Sequence, residues 1–442
     1  MAGSIVSGTR AVPVRLDAAS PEFEAAFQAY LDIGRDDAEK VDAIVADVIA
    51  RVVAEGDKAL VEYTRRFDRL AVSASGLRIT SAEIDAAVAA CAPDLITAID
   101  LAATRIEDFH RRQLPQGYSY DDGVGNRLGL RWTSVSAAGL YVPGGLAAYP
   151  SSVLMNAIPG KVAGVPRLVM VVPTPDGKLA PAVLAAAHRA GVDEIYRVGG
   201  AQAIAALAYG TETIKPVDII VGPGNAYVAT AKRMVFGKVG IDTIAGPSEI
   251  LVVSDAGSNP TWIAIDLLSQ AEHDASARSV LITDDAAYAD RVAAEVDKAL
   301  VSLPRAAIAG ASWRDHGAII VVPNLDAAPA IIDRIAPEHL ELAVDDPEAL
   351  SAQVRNAGAI FLGRHSPEAI GDYIAGPNHV LPTSGAARYA SGLGVFDFMK
   401  RTTLIDCSPA GIAAIGPGAL TLAEAEGLGA HARSVAVRLE RN

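Results

Sequence analysis

The sequence predicts an α/β protein made of two incomplete doubly wound domains with parallel sheets, an N-terminal helical arm and a C-terminal tail. Three observations carry this expectation. Short β-rich runs alternate with helical stretches from residue 140 onward, the pattern of right-handed β-α-β units and a parallel sheet. The alternation comes in two series that divide near residue 249, each short of a full six-stranded sheet. After residue 393 the alternation stops.

The arm covers residues 1–35, and its "SPEFEAAFQAYLD" (20–32) has helical spacing. From 38 to about 110 apolar residues recur at three- and four-residue intervals, with Ser81 and Glu83 suited to a helix start. The first series of strands is "RLVMVVPTP" (167–175), "EIYRVG" (194–199) and "VDIIVGPGN" (217–225). The second is "EILVVSDA" (249–256), "SVLITDD" (279–285), "AIIVVPN" (318–324) and "AGAIFLG" (357–363). The expected division is an arm (1–35), a discontinuous Rossmann-like domain (36–140 and 249–393), a second such domain (141–248) and a tail (394–442).

Composition removes several function classes. Lysine plus arginine number 38 against 52 acids, a net charge of −14, which argues against a broad nucleic-acid footprint. No apolar run is long enough to span a membrane, and the N-terminus lacks the core of a signal peptide, so a cytoplasmic location is expected. Cys91 and Cys407 are far apart with no CxxC partner, which excludes a disulfide framework and a thiolate zinc site.

Polar chemistry gathers around four histidines. "SQAEHD" (269–274) sets Gln270 and His273 three positions apart, on one face of a helix, where both could reach one ion. Alone, such a pair is more often solvated surface. His339 in "APEHLEL" adjoins Glu338, His379 in "GPNHVLPTSG" follows Asp372 by seven, and His431 in "EGLGAHARS" follows Glu426 by five. Imidazole with carboxylate and amide oxygen suits zinc or another borderline metal. Glu338 and His339 also suit acid–base work, or else a Pro-capped helix start. His110, His188, His316 and His365 read as ordinary structural or surface residues. "VPGG" (142–145), "VGGAQ" (198–202) and "GPGN" (222–225) are glycine-rich turns, but no GxGxxG follows the first strand of either series.

Taken in order, "GLYVPGG", "AYPSSVLMNAIPGKVAGV", "GGAQAIAALAYGT", "GPGNAYVATAKR", "AGPSEILV", "DLLSQAEHD", "PEHLEL", "GDYIAGPNHVLPTSG" and "AEGLGAHARSVAVR" make the chain resemble the histidinol dehydrogenase family over roughly residues 35–440. The resemblance implies zinc-dependent, four-electron oxidation of L-histidinol through L-histidinaldehyde to L-histidine with two NAD, ending histidine biosynthesis. It implies zinc ligands at Gln270, His273, Asp372 and His431, one ion per subunit, and substrate contacts from these together with Ser248, His339, His379 and Glu426. His339 would be the general base, Glu338 the group that activates water, and Tyr141, Gln202 and Asn225 the NAD contacts. It further implies a homodimer whose swapped tail carries Glu426 and His431 into the partner's pocket. Ser152 and Gly160 depart from the more usual Thr and Ala of the family, at positions expected to lie away from the site. A related zinc and NAD enzyme acting on another polar alcohol is the alternative.

Overall fold

The computed structural model describes residues 12–33, 38–144, 149–244 and 246–440. The arm's boundary at 34–35, residue 36 and Gly145 of the "VPGG" turn lie outside them. Two parallel sheets form the body. Within each, the five strands of its series stand in the order third, second, first, fourth, fifth, the order of a doubly wound sheet lacking its sixth strand.

The five-stranded sheet runs Glu194–Tyr196, Leu168–Val171, Ala138–Tyr141, Ile219–Val221, Gly240–Ile241. The larger sheet runs Ala318–Val321, Arg278–Thr283, Glu249–Ser254, His339–Ala343, Ala359–Leu362, with Val14–Asp17 added parallel beside Ala318–Val321. The arm is therefore not only helical. Its strand completes a six-stranded sheet, and its helix Phe23–Leu31 buries Phe23, Phe27 and Tyr30 in the same core. Strands buried on both faces read as continuous apolar runs, as "EILVVS" does.

Helices Ala38–Glu55, Asp57–Phe67, Ser81–Ala90 and Pro93–Arg111 pack on the helices around the five-stranded sheet. The sequence division had grouped 36–140 with the larger sheet. The apolar faces of these helices (Val45, Val52, Leu60, Ile99, Ile106) instead close the cores around the smaller one, and Ala138–Tyr141 is its central strand. Helix Ser81–Ala90 is capped one residue earlier than the sequence suggested. Thr80 accepts from the Glu83 N–H, and the Glu83 carboxylate returns the bond to the Thr80 N–H.

The tail holds a strand as well as helices. Met399–Cys407 pairs antiparallel with Asn126–Ser134, which pairs with Tyr118–Asp121. Helices Pro409–Ala425 and Gly429–Leu439 pack on each other, burying only Gly411, Gly416 and Ala432 among the described residues. Ile405, Ile415, Leu422 and Val437 stand exposed on this unit. Among the described residues, no single helix is long and apolar enough to cross a membrane.

Candidate active site

The candidate cluster forms where the larger sheet's strands begin. "APEHLEL" is not a helix start: Ala336 ends helix Ala328–Ile335 in the left-handed region (φ 51°), Pro337 and Glu338 form a short link, and His339 opens a buried strand. Leu340 and Leu342 point to one apolar core, which fixes His339 and Glu341 on the opposite face.

The neighbouring strand supplies the brace. The main chain of Glu249 holds both catalytic candidates: its carbonyl is 3.0 Å from His339 Nδ1, and its N–H donates to the Glu338 carboxyl at 2.9 Å. A carbonyl only accepts, so Nδ1 carries the proton and Nε2 keeps its lone pair. That Nε2 is buried without a hydrogen-bond partner among the described residues and lies 3.7 Å from Asp372 Oδ1. Burial lowers the His339 pKa to about 3, so the imidazole is neutral at physiological pH. His379 is arranged alike: Nδ1 is bonded to the Asp372 carbonyl at 2.9 Å, and burial lowers its pKa to about 4.

Gln270 is fully buried at the end of helix Pro260–Ala271, its NH2 3.0 Å from a Glu368 oxygen and its carbonyl 3.2 Å from the Glu249 N–H. Helix Glu368–Tyr373 delivers Glu368 and Asp372 from one face. Ligand atoms of His339, Glu368 and Asp372 lie within 4.8 Å of one another. Burial raises Asp372 to about 7 and lifts Glu338 and Glu368 well above the usual carboxylate range. The crowded acids Glu368 and Asp372, with the Gln270 amide beside them, are groups whose crowding a divalent cation would relieve, so the residues fit a metal.

Not every expected residue joins the cluster. His273, exposed just beyond the helix, is close enough to act electrostatically on His339 and His379. Ser248 is half-buried next to Glu249. Glu426 and His431 are exposed on the tail and line no part of the cavity described below. Ser152, expected to lie away from the site, has its Oγ 3.4 Å from His379 Nε2. Gly160 is a packing position beside Leu168 and Phe398. Glu368 and Glu249 were missed. The four-residue spacing of Glu368 and Asp372 was the available signal for the first; nothing in the sequence marks a residue that acts through its main chain.

A cavity of about 570 Å³ opens onto His339, Asp372 and His379, with Phe109, Phe361 and Leu393 among its apolar walls. Across from it, helix Pro150–Val162 spans the two layers: Ser152 reaches His379, and the Met155 carbonyl accepts from the Asn378 amide at 2.7 Å.

The three dinucleotide candidates gather at the other sheet, at its strands' carboxyl ends, where doubly wound folds bind such ligands. Tyr141 ends the central strand, and its hydroxyl accepts from the Gly200 N–H at 3.1 Å. Gln202 is buried in helix Gly200–Tyr209. Asn225 caps helix Ala226–Val235 through the N–H groups of Tyr227 and Val228. Gly222 has φ 110°, and a Cβ there would fall 2.2 Å from the Tyr141 carbonyl, so only glycine fits this cradle.

Burial also raises Glu249 to about 7 and Asp266 to about 6. The folded chain therefore keeps protons there that the unfolded chain releases nearer pH 4, and the stabilisation is lost as pH rises through about 6 to 7. The buried histidines, with lowered pKa values, work the other way below about pH 6.5, so the carboxyl has to be isolated by substitution: in metal-free protein, Glu249→Gln should lose less melting temperature than the parent between about pH 5.5 and about pH 8. The same pH dependence in variant and parent would contradict the assignment.

The histidinol dehydrogenase family model matches residues 32–439. The histidinol dehydrogenase of Rhodospirillum rubrum is 66% identical over 431 residues, 97% of this chain and 99% of that one. That of Ruegeria pomeroyi is 61% identical, with 97% and 99% covered. The crystal structure of histidinol dehydrogenase from Elizabethkingia anophelis superposes with a TM-score of 0.92 at 38% identity, covering 97% of this chain and 98% of that one.

Proposed function

The chain belongs to the histidinol dehydrogenase family, and on that premise we propose that it oxidises L-histidinol through L-histidinaldehyde to L-histidine, reducing two NAD, as the last step of histidine biosynthesis. It is an NAD-dependent dehydrogenase acting on a CH–OH group. The observation that carries the mechanism is the buried, unpaired Nε2 of His339, held as a lone pair by the Glu249 carbonyl.

In the first oxidation His339 Nε2 takes the hydroxyl proton as the carbinol carbon loses its hydride. Glu338 then removes a proton from the water that adds to the aldehyde. His339 takes the hydroxyl proton of that hydrate as the second hydride leaves. Water supplies the new oxygen, so the four electrons leave as two hydrides and three protons are released per histidine carboxylate formed. Gln270, His273 and Asp372, with His431 of a second subunit, would hold one zinc, which when bound fixes the amino alcohol and leaves proton transfer to the protein.

Ser248, His379 and Glu426 would contact substrate, and Tyr141, Gln202 and Asn225 would contact NAD. The exposed apolar side chains of the tail and the absence of Glu426 and His431 from the single-chain cavity support a homodimer with shared sites. The test is NADH formed per histidinol consumed, with and without a chelator. Two per turnover, abolished by chelation and restored by zinc, is expected; one per turnover, or activity untouched by chelation, would refute the reading.

A further inference from the structure

Beneath the Gly222–Asn225 turn lies an ion pair that the reaction itself does not use. Lys232, on the buried face of helix Ala226–Val235, and Asp242, just after strand Gly240–Ile241, have side chains only 2% and 3% exposed. They bond to each other and to the two polar backbone groups of one residue. The Lys232 ammonium donates to the Gly222 carbonyl at 2.9 Å, and the Gly222 N–H donates to Asp242 at 2.7 Å. A buried pair of this kind is costly to desolvate and is a poor way to gain stability alone. Here it holds a glycine at φ 110°.

The opposite side of that glycine is closed too. The Tyr141 carbonyl and the Asn156 amide oxygen fill the space where a Cβ would stand, at 2.2 and 3.2 Å. Gly222 is thus gripped below and walled above, and Pro223 and Gly224 after it lead to Asn225 and the helix N-terminus. Register passes along this path: strand Ile219–Val221 pairs with Gly240–Ile241, and the Asp242 N–H continues the ladder to the Ile220 carbonyl.

We infer that Lys232 and Asp242 are positioning residues for the dinucleotide, a buried clamp that fixes the Gly222–Asn225 turn in the shape that receives it. This rests on the assignment of NAD to the Tyr141, Gln202 and Asn225 cleft. Among the described residues, the side-chain hydrogen bonds of the pair, besides the one joining its members, go to Gly222. Loss of the pair should weaken the dinucleotide and leave the histidine-lined pocket, built on the other sheet, as it was.

The test is NADH affinity by fluorescence titration in the full-length chain carrying Lys232→Met and Asp242→Leu together, which removes the clamp without stranding a charge. We expect a tenfold or greater rise in NADH Kd, a parallel rise in KM for NAD, and histidinol affinity within twofold of the parent. NADH affinity within twofold of the parent in a folded double variant would overturn the inference, as would an equal loss of histidinol affinity. If that variant does not fold, Lys232→Met with Asp242→Asn keeps an acceptor for the Gly222 N–H. It should still lose NADH affinity threefold or more, and unchanged affinity would again overturn the inference. An unsubstituted chain that binds no NADH would refute the cofactor assignment itself, a different result from a variant that binds as well as its parent.

Discussion

Asparagine in place of His339 should slow oxidation of histidinol and of histidinaldehyde alike, by about 10²- to 10⁴-fold. The amide can still donate to the Glu249 carbonyl, as Nδ1 does at 3.0 Å, so the strand and its neighbours keep their places. What disappears is the second nitrogen, whose lone pair has no partner among the described residues, on a side chain that lines the cavity. Both half-reactions need an acceptor for a hydroxyl proton there, so both should fall together. NADH formation measured separately from the alcohol and from the aldehyde decides it; a rate within tenfold of the parent in either step would remove His339 as the base.

Glutamine at Glu338 should separate the two steps. The side chain would still accept from the Glu249 N–H, preserving the 2.9 Å contact, but could not take a proton from water. The aldehyde step should lose about 10²-fold or more while the alcohol step loses far less. Equal losses would count against a water-activating role.

The doubly wound architecture was legible because strands buried on both faces spell unbroken apolar runs. What escaped the sequence was long-range placement. The Val14–Asp17 strand finds its partner some three hundred residues away, and the helices of 38–111 share one periodic pattern that does not say which sheet they cover. At the site, Gln270, Asp372, His339 and His379 were legible as polar residues in dense contexts, and the structure gathers them. "APEHLEL" left two readings open, and the Pro-capped helix start falls because the leucines at 340 and 342 alternate as a strand requires. Ser152 was set aside as a mere family variation. Its hydroxyl meets His379 only because a helix from the five-stranded layer crosses to the other, which no local pattern records.

That crossing helix has a mechanical consequence. Pro150–Val162 is anchored to His379 and Asn378 through Ser152 and Met155, and its buried face belongs to a core of the five-stranded sheet. On the proposed placement of histidinol and NAD it would act as a strut that sets the gap a hydride must jump, where donor and acceptor carbons have to approach within about 3–3.5 Å. Shortening or loosening the strut would lengthen the jump while both ligands stay bound, so damage there belongs in turnover rather than in affinity.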